Sequence, residues 1–123
     1  MIGEIMTKKI VSKPWGYEEI WAHTDKYVGK ILTIKPGHRL SLQYHKVKEE
    51  TIYVMQGTLT IWKSKNDTDF ILCGPGSTYH VKPGSIHRFG AHESEPQEIK
   101  ILEVSTPEID DVVRILDDYR REK

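Results

Sequence analysis

Turn-forming residues divide most of the chain into short segments at regular intervals. The segments between these Pro and Gly residues are rich in β-branched and aromatic side chains, a composition typical of strands bounded by turns. Eight strands are predicted, over residues 27–34, 39–45, 50–57, 58–64, 70–73, 77–82, 86–91 and 98–105. Gly57 and the Asn66-Asp67 pair are predicted to form hairpin turns. Many short, evenly spaced strands predict an all-β sandwich or barrel.

The 123 residues suit one domain. The predicted strands form a core at about 27–105, with an N-terminal arm at 1–26 and a C-terminal tail at 106–123. Thr106-Pro107 could begin a helix, because the apolar residues that follow lie near one helical face. The apolar run at 112–116 is equally compatible with an edge strand. The tail is therefore predicted to be a short helical or irregular segment, with the strand as the alternative.

The composition excludes several classes of protein. Lys+Arg and Asp+Glu both number 18, so the chain has no global charge that would favour nucleic acid or an anionic membrane. No apolar run reaches the roughly 20 residues of a membrane span. The first residues lack the apolar core of a signal peptide, and Cys73 is the single cysteine. A cytoplasmic location is expected.

The segment RLSLQYH, residues 39–45, alternates strictly between polar and apolar residues. In a regular strand its two sets of side chains point to opposite faces. The polar set is Arg39, Ser41, Gln43 and His45, and the apolar set is Leu40, Leu42 and Tyr44. The usual interpretation places the apolar face inside. The alternative is that the protein encloses the polar face.

Potential metal ligands favour the second interpretation. Gln43 and His45 share one strand face, about 7 Å apart at Cα, which is a chelating arrangement. Glu50 begins the next strand, and His87 begins another after Pro83-Gly84. Two imidazoles, a carboxylate and an amide oxygen could hold a divalent transition metal. Taken singly, each of these side chains is more often an ordinary polar residue.

The spacing of these residues resembles two known motifs. Gly37, Gln43-Tyr44-His45, Glu50 and Gly57 are similar to the first cupin motif, with Gln in place of the usual first His. Gly76 through Gly84-Ser85-Ile86-His87 resembles the second motif. KPWGYEEIW, YVGKILTIKPGHRLSLQYH, PGSIHR and LEVSTPEIDDVVRILDDYRR are similar to small single-domain mannose-6-phosphate isomerase-like cupins. They also resemble the C-terminal isomerase domain of bifunctional mannose-1-phosphate guanylyltransferases.

The resemblance implies a fold, a cofactor and an activity. The implied fold is the cupin double-stranded β-helix, a jelly-roll barrel. One divalent ion per chain would be held by Gln43, His45, Glu50 and His87, with zinc the first choice and nickel, manganese, iron or cobalt also compatible. The implied activity is mannose-6-phosphate/fructose-6-phosphate isomerisation. Lys48 stands where the isomerase domains usually carry Arg, and Ile52 where they usually carry Trp, so the sugar itself remains open.

Further residues are candidates for substrate contact or catalysis. Lys30, Arg39 and Lys48 are predicted to contact a phosphate or carboxylate, with Lys30 placed inward by the pattern of its strand. His80 is a candidate proton shuttle, because imidazole titrates near neutral pH. The candidate catalytic residues are therefore Arg39, Lys48 and His80, and the substrate-binding residues are Lys30 and Arg39. A solvated cation or a plain hydrogen-bonding histidine is the alternative for each.

Three functions are compatible with these residues. The first is a metal-dependent isomerase of a phosphorylated sugar; the others are a non-haem metal oxygenase and a non-catalytic sugar-binding cupin. If the polar face of residues 39–45 is enclosed, Leu40, Leu42 and Tyr44 need a cover. That cover would be the N-terminal arm or a second subunit, and a homodimer is predicted. No nucleic-acid or membrane partner is expected.

Overall fold

The computed structural model describes residues 2–121, and in this range every regular element is a β-strand. The predicted all-β fold class is therefore confirmed. Each of the eight predicted strands is present, seven of them with shorter bounds and the strand at 70–73 with the same bounds. The strands are β1 (Lys9–Lys13), β2 (Gly16–His23), β3 (Val28–Ile34), β4 (Leu42–Tyr44), β5 (Glu50–Gln56), β6 (Leu59–Trp62), β7 (Phe70–Cys73), β8 (Thr78–Val81), β9 (Arg88–Gly90), β10 (Ile99–Ser105) and β11 (Val113–Leu116). Among the described residues, none forms a helix long and apolar enough to cross a membrane.

The strands form two antiparallel layers. Six strands form one sheet in the order β1-β2-β3-β10-β5-β8, and β7-β6-β9 and β11-β4 form two smaller sheets. Isolated bridges between Arg39 and Gly90 and between Gln43 and His87 join the two smaller sheets along one edge. These bridges make a second layer of β7-β6-β9 and β4-β11. The apolar core lies between the layers, since its buried side chains come from both.

The inner faces of the three central strands change character along their length. Each presents buried apolar side chains at one end, such as Ile34 on β3 and Val54 on β5. Each presents a buried charged side chain toward the other end: Lys30 on β3, Glu50 on β5 and Glu103 on β10. Period-two alternation keeps these charges on the inner face. One end of the barrel is therefore a hydrophobic core, and the other is a polar cavity.

The connections differ in one respect from the predicted hairpins. Asn66 and Asp67 lie in the hairpin between β6 and β7, as predicted. Gly57, with φ 79°, connects β5 of the large sheet to β6 of the other layer. The hairpin predicted at Gly57 is wrong, because local turn chemistry does not specify whether the next strand pairs with the previous one. Gly57 provides the left-handed conformation that the layer crossing needs.

Both ends of the chain contribute strands. The N-terminal arm contains the β1–β2 hairpin, and β2 pairs with β3 to extend the large sheet. In the tail, the predicted helical or irregular segment is partly wrong, because Val113–Leu116 form β11 and pair with β4. A short apolar run cannot distinguish helix from strand. The otherwise unpaired edge of β4 provides hydrogen-bond partners that favour the strand.

The segment 39–45 is not one continuous strand. Regular pairing covers only Leu42–Tyr44, and the alternation is interrupted at Leu40 and Ser41. Leu40 joins the main core, which also contains Trp15 of the arm, while Leu42 is buried at 1% exposure. This chain therefore buries both leucines itself, and the N-terminal arm, one of the two predicted covers, contributes to the core that holds Leu40. The homodimer stays a prediction without that support.

Candidate metal centre

Three predicted ligands converge at the polar end of the barrel. His45 follows β4, Glu50 begins β5, and His87 precedes β9, so three separate segments contribute one side chain each. One ligand atom from each side chain lies within 4.8 Å of the others. His45 Nε2 is 3.6 Å and His87 Nε2 is 3.4 Å from Oε1 of Glu50. All three residues are at most 4% exposed.

Backbone carbonyls determine which nitrogen of each imidazole faces the centre. His45 Nδ1 lies 2.5 Å from the Asp111 carbonyl oxygen, and His87 Nδ1 lies 3.0 Å from that of Ser85. A carbonyl oxygen can only accept a hydrogen bond, so both Nδ1 atoms carry the proton. With Nδ1 occupied in this way, Nε2 is the nitrogen that each ring turns toward the carboxylate of Glu50, and it is the atom that would bind a metal. This orientation is usual for metal-binding histidines.

The Nε2 atom of His45 is not satisfied by the protein around it. Within residues 2–121 it is buried without a hydrogen-bond partner, and its distance to Glu50 exceeds that of a hydrogen bond. Burial raises the pKa of Glu50, but the imidazoles of His45 and His87 and the ammonium of Lys48 hold it well below its usual value. An ionised carboxylate facing two imidazole lone pairs is electrostatically suited to a cation. The donor set fits a divalent transition metal.

Gln43, the fourth predicted metal ligand, lies opposite His87. Its backbone N–H donates to the carbonyl of His87 at 3.0 Å, and the His87 N–H donates back at 2.9 Å. Two residues that exchange both backbone hydrogen bonds lie directly opposite one another in a ladder, so their side chains leave on the same face. Gln43 also lines the cavity in front of the imidazoles. It is placed to provide an amide oxygen beside His87.

A cavity of about 790 Å³ opens beside the three ligands. Its volume lies within the range of small-molecule sites. Lys30 and Lys48, two predicted substrate contacts, both line it and are buried at 6% and 5% exposure. The arm contributes a further wall through Lys13 and Glu18. Lys30 Nζ lies 3.3 Å from Glu18, so this cation is fixed by a neighbouring carboxylate.

Lys48 lies between the predicted metal ligand Glu50 and Glu103, a carboxylate that the sequence analysis did not identify. Its ammonium lies 3.2 Å from Glu50 Oε2 and 3.2 Å from Glu103 Oε2. Burial lowers the pKa of Lys48, but the carboxylates of Glu103 and Glu50 outweigh it and raise the pKa. Lys48 is therefore a cation rather than a base. Burial, reinforced by Glu50, raises the pKa of Glu103 to about 7 although Lys48 opposes this.

Arg39 does not reach the cavity, contrary to the prediction. Its guanidinium binds Asp118 at 2.7 Å, contacts Asp67 at 3.2 Å, and lies over the ring of Trp62. The interruption of the alternation just after Arg39 turns this side chain to the outer surface. The predicted substrate-binding and catalytic roles of Arg39 are therefore not supported by its position. Its observed contacts anchor the C-terminal tail.

His80 also lies away from the predicted centre. It is on β8, opposite Thr51 of β5, and its side chain is 44% exposed. Its Nε2 lies 2.5 Å from the Glu49 carboxylate, which is itself 49% exposed. The direct neighbour Val81 faces the core instead, as alternation requires. His80 is not among the residues that line the cavity, so its position does not support the predicted catalytic role.

Asp111 of the tail contacts the site across 66 positions of the sequence. Besides the carbonyl that accepts from His45, its carboxylate accepts from the backbone N–H groups of Lys46, Val47 and Lys48 at 3.1, 2.7 and 2.9 Å. These donors, led by the Lys48 N–H, lower the pKa of Asp111 to about 2. No pattern near residue 111 indicates this contact. Glu103, by contrast, follows Ile99 and Ile101 on an alternating strand and could have been identified.

Comparison with known proteins gives a consistent family. Residues 3–118 match the family described as Mannose-6-phosphate isomerase C-terminal. The chain is 36% identical over 113 residues to a mannose-1-phosphate guanylyltransferase of Escherichia coli K12, covering 90% of this chain and 23% of the relative. An alginate biosynthesis protein of Pseudomonas aeruginosa, AlgA, is 34% identical with the same coverages. The chain thus spans about a quarter of the length of these curated relatives.

Similarity to solved structures supports the fold. The polyketide cyclase RemF from Streptomyces resistomycificus superposes with a TM-score of 0.74 at 19% identity, covering 94% of this chain and 87% of that one. A cupin-2 domain containing protein from Shewanella frigidimarina also superposes, with a TM-score of 0.56 at 19% identity, covering 84% of this chain and 82% of that one. At this identity the similarity concerns the fold alone. The predicted cupin jelly roll is confirmed.

Proposed function

Because the chain belongs to the Mannose-6-phosphate isomerase C-terminal family of cupins, we propose that it is a metal-dependent isomerase of a phosphorylated sugar. Mannose 6-phosphate and fructose 6-phosphate are the first substrates to test. The observation that carries the proposal is the convergence of His45 Nε2, His87 Nε2 and the Glu50 carboxylate beside a cavity with buried lysines. Family membership and this donor set together support the proposal.

The proposed cofactor is one divalent ion held by His45, Glu50, His87 and Gln43, with zinc as the first candidate. Such an ion supplies Lewis-acid stabilisation of negative charge on a substrate oxygen. With one carboxylate among the ligands, the centre keeps net positive charge for that purpose. The chain's own residues bind and orient the sugar. Elemental analysis of the purified protein would identify the ion.

Cationic side chains would position the phosphate. Lys30 and Lys48 are the predicted contacts that lie inside the cavity, and Lys48 keeps its charge because two carboxylates surround it. Each ammonium provides three donors but not the planar fork of a guanidinium. Charge attraction with flexible geometry therefore supports binding of the phosphate. Arg39 is not included because it lies outside this cavity.

An aldose–ketose isomerisation also requires a proton transfer between adjacent carbons. Glu103 is our candidate for this role because of its position. Its carboxylate lines the cavity and is joined to the ligand Glu50 through Lys48. Glu103→Gln keeps the size of the side chain while removing the group that accepts a proton. Metal content provides a separate check that the centre remains intact.

A coupled assay that converts mannose 6-phosphate to fructose 6-phosphate tests the proposed activity directly. Metal-replete wild-type protein should turn over, and protein stripped by a chelator should regain activity when zinc or manganese is restored. Lys65→Met, on an exposed loop, is a matched control for changes at Lys48. Absence of turnover on these sugars and on a small panel of other sugar phosphates would contradict the proposal.

The donor set itself favours a second candidate. Two histidines and one carboxylate also form the iron site of non-haem oxygenases. Fe(II)-dependent oxygen consumption with an organic substrate would support that function instead. Family membership favours the isomerase, and the two assays can be run on the same preparations. Binding of a sugar phosphate without either activity would indicate the non-catalytic alternative.

A further inference from the structure

We propose that Asp111 is a positioning residue for the metal centre, holding both the His45 imidazole and the 46–48 turn that carries Lys48. This inference rests on the proposed metal site but not on the isomerase activity. Asp111 lies in the tail, 66 residues after His45, in the segment that precedes β11. Its two sets of contacts both involve groups next to the predicted ligands.

The first contact acts on a metal ligand. The Asp111 carbonyl oxygen lies 2.5 Å from His45 Nδ1, and this bond directs the Nε2 lone pair toward Glu50. The ring is 4% exposed, so water does not easily replace a lost acceptor. Partners of this kind raise ligand basicity and fix ring orientation. Displacing the Asp111 backbone would therefore disturb the ligand without touching the metal.

The second contact acts on the turn after the same ligand. Three consecutive N–H groups, from Lys46, Val47 and Lys48, point at the Asp111 carboxylate within 2.7–3.1 Å. Consecutive amides that converge on one anion form a compact binding concavity, and charged acceptors strengthen such bonds. In this turn they replace the regular pairing that ends at Tyr44. The carboxylate fixes the backbone between His45 and Lys48.

The two contacts act on adjacent groups. The Asp111 carbonyl holds the imidazole of His45, and the Asp111 carboxylate holds the backbone of residues 46–48. Because both groups belong to Asp111, the position of the tail and the position of His45 are coupled. A second part of the tail is held by Asp118, which binds Arg39 and the buried Arg88. Asp118 therefore provides a matched control in the same segment.

The first measurement is zinc affinity, by titration of the metal-free full chain against a chelating competitor. Asp111→Ala removes the carboxylate that holds the turn and should weaken zinc binding about 10- to 100-fold, the usual effect of losing a partner of a ligand. Asp111→Asn retains one acceptor oxygen and should lose less. Asp118→Asn should lower the melting temperature while zinc affinity stays within about twofold of wild type.

The second measurement needs no metal. Amide hydrogen exchange at Val47 and Lys48 should be slow in wild type and in Asp118→Asn, and markedly faster in Asp111→Ala. Nitrogen-15 spectra of His45 should show protonated Nδ1 in wild type and a mixture of tautomers in Asp111→Ala. If Asp111→Ala does not fold, Asp111→Asn carries the same comparisons with smaller expected changes.

The outcomes separate the inference from the proposed function. Unchanged zinc affinity and exchange in both Asp111 variants would overturn the inference while leaving the isomerase proposal intact. An equal loss of zinc affinity in Asp118→Asn would also overturn it, because the effect would then reflect detachment of the whole tail. Failure of the wild-type protein to bind zinc or any other tested divalent ion would count against the proposed function. The exchange result would still decide whether Asp111 holds the turn.

Discussion

Replacement of Lys48 by methionine should destabilise the metal-free protein strongly. The Lys48 ammonium is 5% exposed and lies 3.2 Å from a carboxylate oxygen of Glu50 and 3.2 Å from one of Glu103. Methionine has a similar length and fills the same space, so the change removes charge with little change in packing. Glu50 and Glu103 would then face each other without the cation that separates them, and Glu103, whose pKa is about 7 even beside Lys48, would take up a proton.

The magnitude follows from the geometry. At an effective dielectric constant of about 20, each contact at this distance contributes about 5 kcal/mol of Coulomb energy. Much of this gain is offset by the desolvation of the buried lysine, which the mutation recovers. Removing one partner of a buried ion pair costs about 3–5 kcal/mol, and Lys48→Met should fall in that range. For a domain of this size, the melting temperature should fall by roughly 10–25 °C.

Urea denaturation of chelator-treated protein at neutral pH measures the effect. Lys48→Met should lower the midpoint without changing the m value. The double variant Lys48→Met/Glu103→Leu should recover most of the loss, because it also removes a carboxylate left without its partner. Lys65→Met, at an exposed position, should change the free energy of unfolding by less than about 0.5 kcal/mol. A loss below about 1 kcal/mol in Lys48→Met would refute the argument.

His45→Ala should lose most of the bound divalent ion and Gln43→Ala only part of it, measured by elemental analysis after gel filtration; full retention in His45→Ala would remove this site from consideration. Glu103→Gln should lower kcat by about 100-fold or more while metal content is unchanged, and wild-type turnover in this variant would exclude Glu103 as the acid–base group. Hydrogen bonds from Arg39, aided by the charge of Arg88, lower the pKa of Asp118 despite its partial burial. The ionised carboxylate therefore stabilises the fold at neutral pH. This contribution is lost as the pH falls through the lowered pKa of Asp118. Asp118→Asn should therefore be less stable than wild type at pH 7, by about 1 kcal/mol, with a gap that narrows below about pH 4 in urea titrations; a gap independent of pH would contradict this assignment. Sedimentation at micromolar concentration tests the predicted homodimer, which a single monomeric species would refute.

Local patterns were sufficient for the strands and for the inner face that carries Lys30. Period-two alternation placed Lys30 on the same inner face as Leu32 and Ile34, and all three are buried there. Alternation depends only on neighbouring residues within one strand, so it can be read without knowing the partners of that strand. The spacing of His45 and Glu50 likewise spans a single turn. These features survive in the structure because no distant contact opposes them.

The alternation argument was wrong where the strand is not regular. Arg39 shares the sequence pattern of Gln43 and His45, yet the interruption at Leu40 and Ser41 turns it outward to Asp118. An irregularity of one residue moves the side chains that precede it to the opposite face of the sheet. The same irregularity turns Leu40 into the core, which also contains Trp15 of the N-terminal arm, one of the two predicted covers. Leu42 lies on β4, which pairs with β11.

The sequence by itself determined the all-β architecture, because strands depend on local periodicity, and it identified residues able to bind a metal. The jelly roll was implied by the resemblance of its motifs to those of cupins. Only the tertiary structure decided how those residues are oriented and charged. Asp111 reaches His45 across 66 positions, and Glu103 meets Lys48 through the pairing of distant strands. Such contacts depend on which strands become neighbours. Burial then sets the electrostatics of the cavity, since charges interact strongly only after water is excluded.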